Sequence, residues 1–269
     1  MMMNLNETKY PFYSYTPSRY AAGTCATIVY ISSIAWLAQS LYIKCRPFPL
    51  FLFVFAAYLT TFIELILRAT LNINILNTKI LYKMTAPLLS LSSRFLLLAN
   101  YYCLIELRGK KPRDMFDRVI GIVVPITAVT ADLLFAFANE LSFKPNYHYL
   151  SFQFRQIPAG FILGLALFFY IIRCLSISNI HHPYILPLLT ISSTCVLIDA
   201  IYIQAMSIPT LFIALTQSEL WFYICHLVPI VITLIMWSVF HPWRLLISSK
   251  QDNQHYDVRL VILRRTVSL

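Results

Sequence analysis

The chain has 269 residues, of which 59% are hydrophobic and only 12% are charged, and its mean hydropathy is +0.69. Soluble domains carry about 25% charged residues, so this composition excludes an ordinary soluble domain and indicates an integral membrane protein. The net charge of +10 does not indicate nucleic-acid binding, because the basic residues lie in segments that connect apolar stretches rather than along one soluble face.

Seven windows that are nearly free of charge predict membrane spans at 20–43, 47–67, 84–106, 119–139, 156–176, 184–206 and 220–240. Each is close to the ~20 residues that an α-helix needs to cross a ~30 Å hydrocarbon core. The windows are continuous blocks of Leu, Ile, Phe and Ala, whereas a β-barrel would need segments of ~10 residues that alternate apolar and polar positions. We therefore predict an all-α polytopic membrane protein, a seven-helix bundle in which residues 20–243 form the transmembrane domain.

The distribution of Lys and Arg predicts the orientation of this bundle. With the N-terminus outside, 13 of the 21 basic residues lie in inner segments and 7 in outer segments, and Arg94 lies within a span. The positive-inside rule therefore favours an external N-terminal segment (1–19) and a basic cytoplasmic tail (244–269). The sequon "NET" makes Asn6 a candidate for N-glycosylation, which agrees with this orientation. Because residues 1–19 are polar and rich in turn formers, no cleavable signal peptide is expected.

Motifs of catalysis are missing from the sequence. It has no Gly-rich phosphate loop, no G-x-S-x-G and no H-E-x-x-H, and the pair His181 and His182 has no third ligand nearby in sequence. The seventh span has no lysine for a retinal Schiff base of the microbial-opsin type. We therefore expect no enzyme activity, no cofactor and no bound metal, and we expect the six cysteines to be free thiols.

Charged residues inside the spans are the strongest functional signal, because an ion in a membrane helix is costly and faces the bundle interior or a wet cavity. Arg94 interrupts the apolar run "LSLSSRFLLLANYY" ~15 Å from the start of its predicted span, near mid-membrane. Its expected partner is a carboxylate on a neighbouring helix, first of all Asp132. Glu64 and Arg68 are one helical turn apart and are expected to pair.

The acids outnumber the cations in the predicted outer half of the bundle. Four carboxylates face two arginines there, so we expect a net-negative pocket that suits protons or a cationic ligand. The candidate charge network consists of Glu64, Arg94, Asp132, Asp199, Glu219 and His226.

Five further motifs occur in order along the chain. They are "YSYTPSRYAA" with Tyr13 and Pro17, "TAPLLSLSSRF" with Pro87, "TADLLFAFAN" with Asn139, "ELWFYICHLVP" with Tyr223, and "FHPWR" with His241 and Pro242. Together they resemble the fungal RTA-like family, seven-helix proteins that are classed as lipid-translocating exporters and linked to resistance to sphingoid long-chain bases. The chain resembles a divergent member, since Arg94 replaces an apolar residue of the family and His226 replaces an aspartate.

This resemblance implies a protein that moves or extrudes amphiphilic lipids, such as long-chain bases, without a nucleotide site. The implied partner is a membrane lipid or an amphiphilic small molecule, and the implied location is the plasma membrane, with another endomembrane as the alternative. Two other functions stay open: a seven-helix receptor or sensor, although D-R-Y and N-P-x-x-Y are missing, and a stress-response or haem-uptake role within the same family.

The orientation is testable by cysteine accessibility in a background in which the native cysteines are replaced by serine. Lys144→Cys should react with a membrane-impermeant maleimide in intact cells, whereas Lys111→Cys should react only after permeabilisation. Labelling of Lys111→Cys in intact cells would show that the bundle has the opposite orientation. As an independent check, Asn6→Gln should remove any glycan that retards the protein on a gel.

Overall fold

Seven long helices account for most of the fold. The structure, a computed structural model, describes residues 10–43, 48–107, 115–176 and 185–242. The helices are α1 (Arg19–Tyr42), α2 (Phe48–Thr70), α3 (Lys79–Leu107), α4 (Met115–Leu141), α5 (His148–Ser176), α6 (Ile185–Met206) and α7 (Glu219–Val239). All seven are long and apolar enough to cross a membrane, and the described ranges contain no strand. The prediction of an all-α, seven-helix membrane protein is confirmed.

Three helices extend beyond the predicted spans at the end of the bundle where α1 begins, which we call the N-terminal end. There α2 continues to Thr70, α3 begins at Lys79 and α5 begins at His148, whereas the sequence predicted 67, 84 and 156. The predicted windows were cut at charged residues, but the helices continue through them: Arg68 and Arg155 are buried in the protein, and Lys83 pairs with Glu140 at the surface. As a result Arg68 and Arg155 lie inside helices rather than in connecting segments.

Helix α3 lies at the centre of the bundle. Helices that follow one another in the chain pack together, α1 closes the ring against α7, and α3 also contacts α6 across the bundle. In the most apolar stretch of α3, 61% of the residues are buried, against 28% in α1. The buried face of α3 includes small and polar side chains such as Ser92, Ser93 and Asn100. Small residues allow helices to approach closely in a membrane, where no hydrophobic effect drives their association.

A chain of hydrogen bonds joins α3, α6 and α7 in the interior. The Ser192 hydroxyl donates to Asn100 Oδ1 at 2.8 Å, and Trp237 Nε1 donates to the same hydroxyl oxygen at 3.2 Å. All three residues are buried. In the hydrocarbon region unpaired polar groups are costly, so these bonds favour one register of the three helices.

Large apolar side chains cover the outside of the bundle. Examples are Ile31 on α1, Leu133 on α4, Ile171 on α5 and Val239 on α7, each more than half exposed. On a soluble domain such a surface would drive aggregation. On a bundle that crosses a membrane it is the surface that contacts the lipid chains.

The N-terminal segment, residues 10–18, packs onto the N-terminal end of the bundle. The side chain of Asn77 accepts a hydrogen bond from the Tyr13 amide at 3.0 Å and donates one to the Tyr13 carbonyl at 3.1 Å. The Ser18 amide donates to both carboxylate oxygens of Glu219, at 3.0 and 2.9 Å. A short helix, Pro209–Thr216, covers the same end and is held by a hydrogen bond from the Ser14 hydroxyl to the Thr216 carbonyl. The segment is therefore part of the folded domain.

At the opposite end, α1 and α7 are joined by residues of the last sequence motif. His241 stacks on Trp36 with ring centroids 4.3 Å apart, and its Nε2 is 3.0 Å from the Ser40 hydroxyl. Gln39 Nε2 donates to the Ser238 carbonyl at 2.8 Å. The motif residues His241 and Pro242 are both buried, so this contact fixes where α7 ends against α1.

Candidate functional site

Arg94 forms an ion pair with Asp132, as the sequence predicted. Its Nη1 contacts Asp132 Oδ1, and its Nη2 donates to the Ser90 hydroxyl at 2.9 Å. The guanidinium also lies 4.7 Å from the ring centre of Phe135 on α4. The Arg94 side chain is 3% exposed and that of Asp132 is 36% exposed, so the cation faces the bundle interior. The pair joins the central helix α3 to α4.

His226 lies between two carboxylates in the interior. Its Nδ1 is 2.5 Å from Asp199 Oδ1, its Nε2 is 3.7 Å from Glu64 Oε2, and Glu64 Oε1 is 3.3 Å from Arg68 Nη2. All four side chains are buried. With a protonated imidazole the two acids and two bases carry no net charge. We call these four residues the His226 cluster, and it joins α2, α6 and α7.

An irregularity in α7 positions His226. Residues Tyr223–Leu227 form one turn of π-helix before the regular helix resumes at Val228. Pro229 follows directly, and a proline cannot donate to the carbonyl four residues before it. Such π turns widen a helix locally and are frequent at functional sites. Here the turn coincides with the only histidine of α7.

Arg68 connects the His226 cluster to the N-terminal segment. Its guanidinium lies 3.8 Å from the ring centre of Phe222 and 5.1 Å from that of Tyr13, and Nη1 donates to the Tyr15 hydroxyl at 3.1 Å. Burial raises the pKa of the Tyr13 phenol above its ordinary value, so this hydroxyl is neutral and able to donate a hydrogen bond. The charge of Arg68 is balanced by Glu64.

A partly enclosed cavity lies beside Arg68 at the N-terminal end of the bundle. Its volume is about 100 Å³. It is bounded by the N-terminal segment, the short helix Pro209–Thr216 and helices α2 to α7. Much of its wall is aromatic, including Phe12, Tyr82, Phe135, Tyr202, Phe212 and Phe222. The cavity is therefore mostly apolar, as sites for small molecules usually are.

The charged groups of this wall are basic. Among the described residues that line the cavity, Arg68 and Arg155 are the charged ones. None of the four carboxylates Glu64, Asp132, Asp199 and Glu219 lines it, so the expectation of a net-negative pocket is wrong for this cavity. The acids serve other groups: Asp132 pairs with Arg94, Glu64 and Asp199 contact His226, and Glu219 accepts from the Ser18 amide.

Arg155 is a site residue that the predicted spans did not include. Its residue exposure is 8%, its Nη2 donates to Asn139 Oδ1 at 2.8 Å, and the Tyr82 hydroxyl lies beside it. The predicted span begins at residue 156, which places Arg155 in the outer connecting segment before it. The signal was present in the pattern, since Ser151, Phe152 and Arg155 lie on one helical face and are all buried.

The other motif residues fall into two groups. Tyr13 and Asn139 line the cavity, whereas Pro87 lies inside α3, eight residues from its start. Pro17 is buried in the N-terminal segment. The Tyr223 hydroxyl donates to the Ser18 carbonyl at 3.5 Å, close to the bond from Ser18 to Glu219. The glycosylation candidate Asn6, the pair His181 and His182, the segment 108–114 and the tail 244–269 lie outside the described residues.

No protein-family model, no curated protein and no solved structure matches this chain. The resemblance to RTA-like proteins therefore rests on the sequence motifs, and the function has to be argued from the cavity and the buried charges.

The His226 cluster should contribute strongly to stability. We expect Glu64→Gln to lower the free energy of unfolding by about 3–5 kcal/mol, because it leaves the buried Arg68 without its counter-ion. Equilibrium unfolding in mixed micelles measures this change. The matched control is Glu140→Gln, which removes the exposed partner of Lys83 and should stay close to wild type. Equal stability of the two variants would contradict the role of the cluster.

The Arg94–Asp132 pair should behave as a unit. Asp132→Asn should lower the free energy of unfolding by about 1–3 kcal/mol, because a charged donor loses its acceptor and Asp132 is itself partly exposed. The double variant Arg94→Leu/Asp132→Leu should recover most of this loss, since replacing both buried ions by apolar side chains is often neutral. If the double variant is as unstable as Asp132→Asn, the pairing does not explain the loss.

Proposed function

We propose that this integral membrane protein binds an amphiphilic lipid in the cavity at the N-terminal end and moves it between leaflets or out of the membrane. The observation that carries the proposal is the cavity itself, which combines an aromatic wall with a few polar and basic groups inside a membrane-spanning bundle. The resemblance to lipid-translocating exporters supports the same function. No nucleotide motif occurs in the sequence, so this movement does not depend on a nucleotide site of the known loop types.

The size of the cavity limits what it holds. Its volume takes several water-sized groups, which matches a head group or part of a chain rather than a whole lipid. A bound lipid would therefore keep most of its tail outside the cavity. Its polar end would lie near the hydroxyls of Tyr13 and Ser90 and the amide of Asn139.

A receptor is the second candidate. The observation that favours it is that the cavity lies at the predicted outer end and is covered by the N-terminal segment, so a ligand from outside would meet it first. A receptor would bind the lipid without moving it. Measuring binding and movement on the same preparation separates the two functions.

The test is lipid movement in proteoliposomes. Fluorescent lipid analogues with anionic, neutral and cationic head groups are placed in one leaflet, and their appearance in the other leaflet is followed by chemical quenching. Wild-type protein should accelerate at least one of them over protein-free vesicles. Ala86→Trp, which fills the cavity from α3, should abolish most of this acceleration.

The matched control is Ala136→Trp, the same change at an exposed position of α4. It should leave the movement unchanged. If wild-type protein moves none of the analogues, transport fails, and binding without movement would then favour the receptor. If both tryptophan variants are as active as wild type, the cavity is not the path.

A further inference from the structure

Arg155 is a buried cation that has no carboxylate partner among the described residues. Two other buried arginines of the bundle pair with a carboxylate: Arg68 with Glu64 and Arg94 with Asp132. Arg155 is also buried, yet the groups that it hydrogen-bonds are neutral: the amide oxygen of Asn139 and the Tyr82 hydroxyl. Charged side chains are rarely buried unless they are paired. A negative charge is therefore missing from this position.

Part of the hydrogen-bonding capacity of Arg155 is also unused. Its Nε is buried and has no hydrogen-bond partner, while Nη2 is held by Asn139. A guanidinium has five N–H donors in a planar fork that fits a carboxylate or a phosphate with two parallel hydrogen bonds. The side chain also forms part of the cavity wall. An anion that enters the cavity beside Arg155 would supply the missing charge.

The surroundings of Arg155 specify the rest of the ligand. Tyr82 and Asn139 are neutral hydrogen-bonding groups beside it, and Phe135 and Phe212 contribute apolar wall to the same cavity. We propose that the cavity binds an anionic amphiphile whose carboxylate or phosphate pairs with Arg155 while its chain lies against the aromatic wall. This inference rests on the proposed function and names the substrate class of the same cavity.

A cationic amphiphile fits this cavity poorly. An ammonium group would lie close to Arg68 and Arg155, with no carboxylate among the described lining residues to balance it. Like charges at short range repel strongly where water is excluded. The structure therefore favours the opposite head-group charge from the sphingoid base that the resemblance implies.

The experiment compares head groups on one tail. The full chain is placed in nanodiscs of zwitterionic lipid, and radiolabelled dodecyl phosphate is bound to it, with empty nanodiscs subtracted. Dodecanoic acid, dodecanol, dodecylamine and inorganic phosphate then compete for the site. Dodecanoic acid should compete at least ten times better than dodecanol or dodecylamine. Inorganic phosphate should be the weakest anion because it lacks the tail.

Variants locate the anion. Arg155→Gln should weaken dodecyl phosphate binding about 10- to 100-fold, the amount that a hydrogen-bonded charge pair contributes. Arg173→Gln is the matched control, because Arg173 is equally buried in α5, does not line the cavity and lies ~27 Å away along the helix. It should bind dodecyl phosphate like wild type.

The outcomes separate this inference from the proposed function. If dodecylamine or dodecanol competes as well as the acid, the site binds amphiphiles but the anion inference is wrong. If inorganic phosphate competes as well as dodecanoic acid, the site binds a free anion and the amphiphile part is wrong. If no probe binds, the proposed lipid site fails as well. Should Arg155→Gln not accumulate, the head-group comparison on wild-type protein still decides, and Arg155→Lys should show a smaller loss because it keeps the charge without the fork.

Discussion

Every charge inside this bundle has to be matched by another group of the protein, because the surrounding lipid chains offer neither counter-ions nor hydrogen bonds. The arrangement of the helices follows from this constraint. Arg94 and Asp132 hold the central helix α3 against α4, and the His226 cluster holds α2, α6 and α7 together. Packing of small side chains alone would leave the helices free to rotate or slide, whereas these contacts are satisfied in one arrangement.

At the cavity this matching is incomplete. Its wall contains Arg68, which has a counter-ion, and Arg155, which has none in the part of the chain that the structure describes. Both arginines lie where the helices continue beyond the predicted spans and where the N-terminal segment covers the bundle. The longer helices and the covering segment exclude water from the cavity, which strengthens electrostatic interactions there. The cavity is still open enough to admit a head group.

The seven helices and the Arg94–Asp132 pair could be predicted from the sequence. A membrane span requires a long apolar segment, and a lone arginine inside such a span requires a counter-ion. The helix ends could not be predicted, since charged residues such as Arg155 remain helical when their side chains find partners in the interior. The expected acidic pocket failed for a related reason. A count of charges does not reveal that His226 lies between Glu64 and Asp199, or that a backbone amide at Ser18 takes up Glu219.

The contacts of the N-terminal segment have a consequence for biosynthesis. Ser14 and Ser18 bind residues that lie about 200 positions later in the chain, at Thr216 and Glu219. At synthesis rates of 5–20 residues per second, the segment emerges about 10–40 s before these partners exist. During this interval the segment lacks these two partners and the cavity wall lacks Phe222 of α7, so the cavity is completed only after the final helix has been made. A nascent chain that stalls before α7 would therefore carry an incomplete cavity, with its aromatic wall open on one side.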